Sequence, residues 1–374
     1  MSAPLSSLAP APVARAADPM PPLTWTDPAR EAAFRAWLER IAPGHDLLPA
    51  TVRLASADAS FRRYLRVDTR SGSSRIVMDA PPEREDCAPF VRVAALMREA
   101  GLRVPAVLDW AADAGFLLLD DLGPDTLMSA LDPVRPDAAL PLLRGATRAL
   151  LDWQRASRPG VLPAYDDALL RRELALFPDW YLARHRGVSL DDGQRATLER
   201  VFGQIVARNL AAPAVYVHRD FMPRNLMLPL PGDPRPGVLD FQDAVYGPLT
   251  YDIASLMRDA FLSWEEDFVL DVTVRYWEQA RKAGLMDFED WHRDFGAFWR
   301  AVEWMGLQRH LKVAGIFARL TLRDGKPNYL ADAPRFIGYI RATAARYREL
   351  TPLLRLVDEV EGTTAPSGWA FGRV

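Results

Sequence analysis

The chain has 374 residues and a formal net charge of -3; hydrophobic residues make up 49% of it and charged residues 25%. This composition is typical of a globular protein and excludes wholesale disorder, and the small net charge excludes a broad basic surface for nucleic acid or anionic membrane. The single cysteine, Cys87, excludes an intramolecular disulfide and a thiolate metal site, which favours a reducing compartment. We therefore expect a cytoplasmic protein without a nucleic-acid or membrane partner, and nothing in the composition indicates an obligate protein partner.

Both ends of the sequence lack the periodicity of helices and strands. Residues 1–22 are rich in Ala, Pro and Ser and lack the continuous apolar stretch of a secretory signal, so a disordered tail is predicted there. Residues 363–374 are predicted to form a second tail. No apolar run reaches the roughly 18 to 20 residues that a membrane span needs.

Residues 23–122 have the pattern of a small lobe with one antiparallel sheet. Apolar residues at three- and four-residue intervals predict helices at 27–41 and 88–101. Short β-branched and aromatic runs predict strands at 51–54, 64–67, 75–78, 104–110 and 116–119. After the first helix, the predicted order of elements is therefore βββαββ.

Residues 123–362 change to long helical patterns, which predict a larger and mainly helical lobe. Helices are predicted at 137–157, 166–184 and 191–209, with several more beyond residue 248. A strand-like patch at 214–240 interrupts them and has a turn rich in Pro and Gly at its centre. The predicted fold class is α+β with two lobes.

The segment 215–228 contains the spacing His-Arg-Asp-x4-Asn, which is that of a kinase catalytic loop. Phosphoryl transfer needs a carboxylate that orients the acceptor hydroxyl and takes its proton, and Asp220 is the candidate. Asn225 can bind magnesium through its amide oxygen. His218 is expected to brace the loop, and Arg219 and Arg224 are candidate contacts for phosphate or carboxylate. A plain surface connection also carries polar residues, but background residue frequencies make this match a rare accident.

A second segment, 237–243, ends an apolar strand with Asp240, and Asp243 closes the segment. Strands at 226–228 and 237–239 flank the Pro/Gly turn and are predicted to form a hairpin that brings Asp240 close to Asn225. Magnesium prefers oxygen ligands and takes few of them from the protein when phosphates are present. An isolated aspartate after a strand is more often a turn residue, but the ordered pairing with the catalytic loop favours a metal site.

A third segment, 247–256, starts a helix, and its Asp252 has two interpretations. The carboxylate can accept hydrogen bonds from the backbone of the catalytic loop, which would make Asp252 a supporting residue. It can also be a plain first-turn carboxylate that the helix dipole favours. The sequence alone gives the two interpretations equal weight.

The three segments HRDFMPRN, VLDFQD and GPLTYDIASL resemble, in this order, the hallmark segments of the aminoglycoside phosphotransferase and choline kinase-like family. The resemblance spans most of the chain. It implies a protein-kinase-like fold with a nucleotide-binding lobe at 23–122 and a catalytic and substrate lobe at 123–362. It further implies that Asp220 is catalytic, that Asn225 and Asp240 bind Mg²⁺, and that ATP is the phosphoryl donor, with GTP left open.

Finer features resemble one bacterial subgroup of this family: ASADASFRRYLRV at 55–67, IVMDAPP at 76–82, GFLLLDDLG at 115–123 and LQRHLKVAGIFARL at 307–320. Members of that subgroup phosphorylate the anomeric hydroxyl of N-acetylmuramate and N-acetylglucosamine during peptidoglycan recycling. The resemblance implies a sugar 1-kinase whose partner is a small amino sugar. The alternative within the enzyme class is a kinase of another small alcohol, such as an aminoglycoside, choline or homoserine.

The nucleotide contacts that the resemblance implies lie in the first lobe. Ser60 belongs to the loop that folds over the ATP phosphates, although that loop lacks a Gly-rich fingerprint. The third strand ends in Asp79 where protein kinases have a phosphate-binding lysine, so Arg62, Arg63 or another basic residue is the candidate replacement. The backbone from Asp120 to Leu122 is expected to pair with the adenine ring. The missing lysine leaves open a second class of function, a nucleotide-binding pseudokinase with a regulatory role.

The acceptor is expected between the catalytic loop and the C-terminal helices. The candidates are polar and aromatic residues in segments that resemble the subgroup: Trp180, Tyr181, Arg258, Asp259, Gln308 and Arg309. Aromatic residues at helical spacing are, however, more often part of a core. A protein kinase is disfavoured, because no Ala-Pro-Glu segment follows Asp240 and little room is left for an activation loop.

Overall fold

The computed structural model describes residues 23–57 and 61–363, so both predicted tails, apart from Thr363, and the candidate Ser60 lie outside the described residues. The chain forms two compact units. Of the described residues, 23–57, 61–88 and 106–121 form the first unit, and 89–105 and 122–363 form the second. The predicted lobe boundary falls at residue 122, whereas the contacts group residues 89–105 with the second unit.

The first unit is a five-stranded antiparallel sheet with one helix. Its elements are α1 Pro28–His45, β1 Arg53–Ala57, β2 Arg63–Asp68, β3 Ser74–Asp79, β4 Val107–Ala111 and β5 Phe116–Asp120. The strands lie in the order β1-β2-β3-β5-β4, and every neighbouring pair is antiparallel. The predicted sheet is confirmed, with strand ends that differ by a few residues.

Helix α1 covers the sheet with its apolar face. Asp27 caps the helix, because its side chain accepts hydrogen bonds from the backbone N–H groups of Ala29 and Arg30. The predicted apolar positions are all buried: Phe34, Trp37, Leu38 and Ile41. Trp37 stacks on Phe116 of β5 with ring centroids 5.4 Å apart. The predicted amphipathic helix is therefore confirmed.

The second unit is mainly helical. Its α-helices are α2 Ala88–Glu99, which belongs to this unit from its second residue, α3 Leu127–Ala130, α4 Pro136–Arg155, α5 Asp167–Leu176, α6 Asp192–Ala211, α7 Thr250–Met257, α8 Glu266–Lys282, α9 Phe295–Leu322, α10 Ala333–Arg346 and α11 Thr351–Glu361. Four short strands, β6 Ala214–Val217, β7 Leu226–Met227, β8 Gly237–Val238 and β9 Val245–Pro248, form the antiparallel pairs β6–β9 and β7–β8. Across the described ranges, no helix is long and apolar enough to cross a membrane.

The helix predicted at 166–184 consists of two elements. Helix α5 ends at Leu176, and a π-helical segment, Phe177–His185, continues from it. Pro178 has no backbone N–H and cannot make the α-helical bond to the preceding turn, which favours a change of register at this point. Gly315 of α9 packs on the junction, because a Cβ at this position would lie 2.2 Å from the Leu176 carbonyl oxygen.

Strand β9 is not predicted by the sequence, because its residues Val-Tyr-Gly-Pro include two turn formers. The segment 247–256 does not begin as a helix: α7 starts at Thr250, after β9 has paired with β6. A Cβ on Gly247 would lie 2.5 Å from Cβ of Tyr165, so a larger residue does not fit in this strand. The β6–β9 pair brings the start of the catalytic loop beside the N-terminus of α7.

Candidate active site

The three residues predicted to carry the chemistry converge after β6 and β8. Nδ2 of Asn225 donates one hydrogen bond to the backbone oxygen of Asp220 over 2.9 Å and one to Oδ2 of Asp240 over 3.2 Å. Asp220 and Asn225 are half-buried and Asp240 is exposed. One amide therefore joins the loop that carries the predicted base to the carboxylate predicted to bind the metal.

The β7–β8 hairpin, which the sequence predicts, determines where Asp240 lies. The backbone N–H of Leu239 donates to the carbonyl of Asn225 over 2.9 Å, immediately before the chain reaches Asp240. Asp240 has a φ of 64°, in the left-handed region, so the chain turns sharply there. Its Oδ1 accepts a hydrogen bond of 2.8 Å from the side chain of Gln242.

His218 lies beneath the catalytic loop and is fully buried. Its Nε2 lies 3.0 Å from the carbonyl oxygen of Leu239, and its Nδ1 accepts from the backbone N–H of Asp220 over 3.2 Å. Only the tautomer with the proton on Nε2 satisfies both contacts. Burial lowers the pKa of His218 to about 4, so the ring is neutral at physiological pH. His218 thus links the strand that leads to Asp240 with the backbone of Asp220.

Asp252, in the first turn of α7, is fully buried against the same loop. Its carboxylate accepts from the backbone N–H of His218 over 2.7 Å and from that of Arg219 over 3.0 Å. Burial raises the pKa of Asp252 to about 7, although both backbone bonds act in the opposite direction. These contacts correspond to the first of its two interpretations. Asp243 also contacts Arg219, because its backbone oxygen accepts from Nη1 over 3.4 Å.

Asn225 and Asp240 form a donor set that fits Mg²⁺. Among residues 23–57 and 61–363, no group of three or more His, Cys, Asp or Glu side chains could hold a metal by itself. Magnesium that arrives with a nucleotide takes phosphate oxygens as ligands, so one carboxylate and one amide oxygen suffice. The Asp240 carboxylate accepts hydrogen bonds from the neutral side-chain amides of Asn225 and Gln242.

The third strand of the first unit ends in a buried acid in place of a kinase lysine. Asp79 is 1% exposed, and each of its carboxylate oxygens faces one arginine. Nη2 of Arg30 lies 2.7 Å from Oδ1, and Nη2 of Arg63 lies 2.5 Å from Oδ2. Because an unpaired buried charge is costly, these arginines keep Asp79 compatible with the core of the sheet.

The other nucleotide-contact candidates have partners of their own unit. Nη2 of Arg62 pairs with Glu85 over 3.0 Å, and both side chains are mostly buried. The backbone N–H of Asp120 donates to the carbonyl of Ala106 over 3.1 Å. Leu122, in the second unit, is buried. Their predicted nucleotide roles stay predictions.

Four of the six acceptor candidates lie together after α7 and in α9. Arg258, Asp259, Gln308 and Arg309 are all buried. Nη2 of Arg309 lies 3.9 Å from the sulfur of Met222 in the catalytic loop. Within the described part of the chain, Oδ2 of Asp259 and Oε1 of Gln308 have no hydrogen-bond partner. Both side chains are fully buried, and the amide nitrogen of Gln308 donates to the carbonyl of Leu170 in α5 over 3.0 Å.

Two arginines lie near Asp259, and we call Asp259, Arg309 and Arg224 the Asp259 group. Burial raises the pKa of Asp259, whereas the guanidinium groups of Arg309 and Arg224 act in the opposite direction. Arg224 is exposed and lies over the ring of Phe261, 4.6 Å from its centroid. Burial raises the pKa of Asp252 and Arg309 acts against it there too, so the two arginines face two carboxylates.

The remaining two acceptor candidates, Trp180 and Tyr181, lie in the π-helical segment. Tyr181 is 3% exposed and donates its hydroxyl to Glu361 of α11 over 2.9 Å. Trp180 is half-buried, and the guanidinium carbon of Arg184 lies 4.2 Å from its ring centroid. Their contacts are thus with α11 and with their own segment.

A buried ion cluster lies behind the catalytic loop and is not among the features predicted from the sequence. Oε1 of Glu173 lies 2.7 Å from Nη2 of Arg219 and 2.9 Å from Nζ of Lys312. One signal was available, because Glu173 stands between Leu170 and Leu174 on the apolar face of α5. A charged residue on such a face needs a buried partner.

Comparison with known proteins agrees with this geometry. The phosphotransferase enzyme family matches residues 51–294. The N-acetylmuramate/N-acetylglucosamine kinase of Neisseria meningitidis serogroup B is 47% identical over 334 residues, which cover 89% of this chain and 96% of that protein. The protein of the same name from Pseudomonas aeruginosa is 48% identical over 342 residues, with coverage of 89% and 97%.

Solved structures agree with the fold. An ethanolamine kinase of Plasmodium vivax has a TM-score of 0.59 at 9% identity and covers 88% of this chain and 90% of its own. An amicoumacin kinase, solved with AMP-PNP and Ca²⁺, has a TM-score of 0.54 at 16% identity, with coverage of 83% and 95%. These similarities confirm the predicted α+β, protein-kinase-like fold. The chain belongs to the phosphotransferase enzyme family, and it is a small-molecule kinase as its motifs predict.

Proposed function

We propose that this kinase uses ATP and Mg²⁺ to phosphorylate the anomeric hydroxyl of N-acetylmuramate or N-acetylglucosamine. The observation that carries the kinase chemistry is the amide of Asn225, which bonds both the backbone of Asp220 and the carboxylate of Asp240. This contact holds a base candidate and two oxygen donors for a metal in one place. Because ATP and free amino sugars are cytoplasmic metabolites, we also propose a cytoplasmic location.

The proposed roles follow from the chemistry of phosphoryl transfer. Asp220 orients the acceptor hydroxyl and takes its proton while the hydroxyl oxygen forms a bond to the γ-phosphorus and the bond to the β–γ bridging oxygen breaks. The products are the sugar 1-phosphate and ADP. Asn225 and Asp240 would hold Mg²⁺, which neutralises phosphate charge when bound. His218 and Asp252 keep the loop in place from below.

Two observations support an amino sugar as acceptor. The relatives that carry this substrate in their names are 47% and 48% identical and are matched over almost their whole length. Arg224 is an exposed cation in the catalytic loop, which favours an anionic or neutral acceptor over a cationic aminoglycoside or choline. N-acetylmuramate carries a carboxylate, which the guanidinium group of Arg224 can pair with.

The test is ATP turnover by the purified protein with Mg²⁺ and a panel of acceptors: N-acetylmuramate, N-acetylglucosamine, their 1-O-methyl glycosides, kanamycin and choline. Turnover with the two free sugars only, abolished by Asp220→Asn, is expected. Turnover with kanamycin or choline alone would keep the kinase chemistry and reject the amino-sugar acceptor. ATP binding without turnover of any acceptor would favour the pseudokinase.

A further inference from the structure

The residue before the proposed base has an unusual backbone conformation. Arg219 has a φ of 77°, in the left-handed region that favours glycine. Its N–H is held there by Asp252 over 3.0 Å. Glycine would adopt this conformation without strain, so the arginine side chain must contribute something that glycine cannot.

That contribution is an ion pair with a buried carboxylate. Nη2 of Arg219 lies 2.7 Å from Oε1 of Glu173, and Nζ of Lys312 lies 2.9 Å from the same oxygen. The hydroxyl of Tyr165 donates to Oε2 of Glu173. We call these four residues the Glu173 cluster. Its members come from α5, α9, the catalytic loop and the segment before α5, so the cluster ties the loop to the helical core.

Glu173 is charged in this setting. Burial favours its neutral form, but Lys312, Arg219 and the hydroxyl of Tyr165 outweigh burial and hold the pKa of Glu173 below its ordinary value. The side chain of Lys312 also donates to the hydroxyl of Tyr251 over 3.0 Å, which fixes its position. The carboxylate is therefore an anchored anion that faces Arg219. Hydrogen bonds between charged groups such as these are stronger than those between neutral groups.

We infer that Glu173 is a positioning residue for phosphoryl transfer, which acts through Arg219 to hold Asp220 at the angle that the acceptor hydroxyl requires. Asp252 holds the backbone of Arg219 and Glu173 holds its side chain, so the residue that leads into Asp220 is held at two points. Lys312 keeps Glu173 in place from the side of α9. This inference rests on the proposed role of Asp220 as base.

Glu173→Gln tests it, because glutamine keeps the size of the side chain and removes its charge. We expect kcat to fall by ~10- to 100-fold, with KM for ATP and acceptor changing by less than about threefold, since misplacing a reacting group costs rate more than binding. The matched control is Asp358→Asn, which removes a buried carboxylate that pairs with Arg341 over 2.5 Å between α10 and α11. It is expected to change Tm but to leave kcat within about twofold.

A double-mutant cycle separates positioning from plain stabilisation. Arg219→Gly removes the side chain and relieves the backbone strain, so it is expected to lower kcat to a similar extent while folding well. In that background, Glu173→Gln should lower kcat by less than about twofold more. An equal loss in both backgrounds, or a kcat for Arg219→Gly near that of the wild type, would overturn the inference.

All rates are measured with the best acceptor of the panel. A wrong acceptor class then shows in the wild-type protein alone, as turnover of a different substrate. A wrong positioning role shows only in the variants, whatever the acceptor. If Glu173→Gln does not fold, the kcat of Arg219→Gly decides the question. In that variant the carboxylate of Glu173 keeps its ion pair with Lys312.

Discussion

Replacing Asp252 with asparagine separates the electrostatic cost of this buried carboxylate from its hydrogen bonds. Burial raises its pKa to about 7 from an ordinary 3.8. A folded-state pKa above the unfolded value means that the native protein binds the proton more tightly. The contribution of Asp252 to stability is therefore full below about pH 4 and is lost as the pH rises through about 7, by roughly 4 kcal/mol in total.

Asparagine does not titrate and so lacks this pH-dependent loss, but it keeps only one acceptor for two backbone donors. The N–H of His218 or of Arg219 then faces an amide N–H, at a cost of about 2 kcal/mol. The variant should be less stable than the wild type near about pH 4.5, and this difference should shrink and reverse by about pH 8. At the higher pH, kcat should still be at least about tenfold lower, because Arg219 loses an anchor.

Urea unfolding of both proteins across this pH range measures the effect. The titration of every other group is shared by the two proteins and cancels in the difference. A difference in unfolding free energy that does not change with pH would show that Asp252 ionises normally in the fold. An unchanged kcat would refute its role in holding the catalytic loop.

Three further outcomes follow from the same structure. Gly315→Ala should destabilise the protein by several kcal/mol in thermal unfolding, because the new Cβ meets a backbone carbonyl. Gly338→Ala, in α10 with open space around it, should be neutral or stabilising by up to ~1 kcal/mol. Equal effects of the two substitutions would contradict this packing. Asp240→Asn should raise the Mg²⁺ concentration for half-maximal rate by at least ~10-fold, and Asp233→Asn, in the hairpin turn, should not. The ring of His218 should stay neutral in NMR titrations until the pH falls towards about 4, and protonation near neutral pH would contradict its burial.

The catalytic loop and the hairpin could be predicted because their chemistry restricts residue type and spacing together. Asp220, Asn225 and Asp240 are separated by fixed intervals, and only a hairpin between them places the last beside the second. The sheet of the first unit was also predictable, since its short strands alternate with clear turn residues.

Features that depend on distant contacts could not be predicted. The π-helical segment forms where Gly315 meets the Leu176 carbonyl, and the two residues lie far apart in the chain. Strand β9 exists because β6 pairs with it, despite its Gly and Pro. The place of Glu173 on the apolar face of α5 indicates a buried partner, but its partners Arg219 and Lys312 lie far away in the sequence.

The position of the transferred phosphate tests the proposed function most directly. The purified kinase is incubated with ATP, Mg²⁺ and N-acetylmuramate or N-acetylglucosamine, and the product is examined by ³¹P NMR. A phosphorus signal coupled to the anomeric proton is the predicted result. A phosphate on any other hydroxyl, or no sugar phosphate from either acceptor, would contradict a sugar 1-kinase.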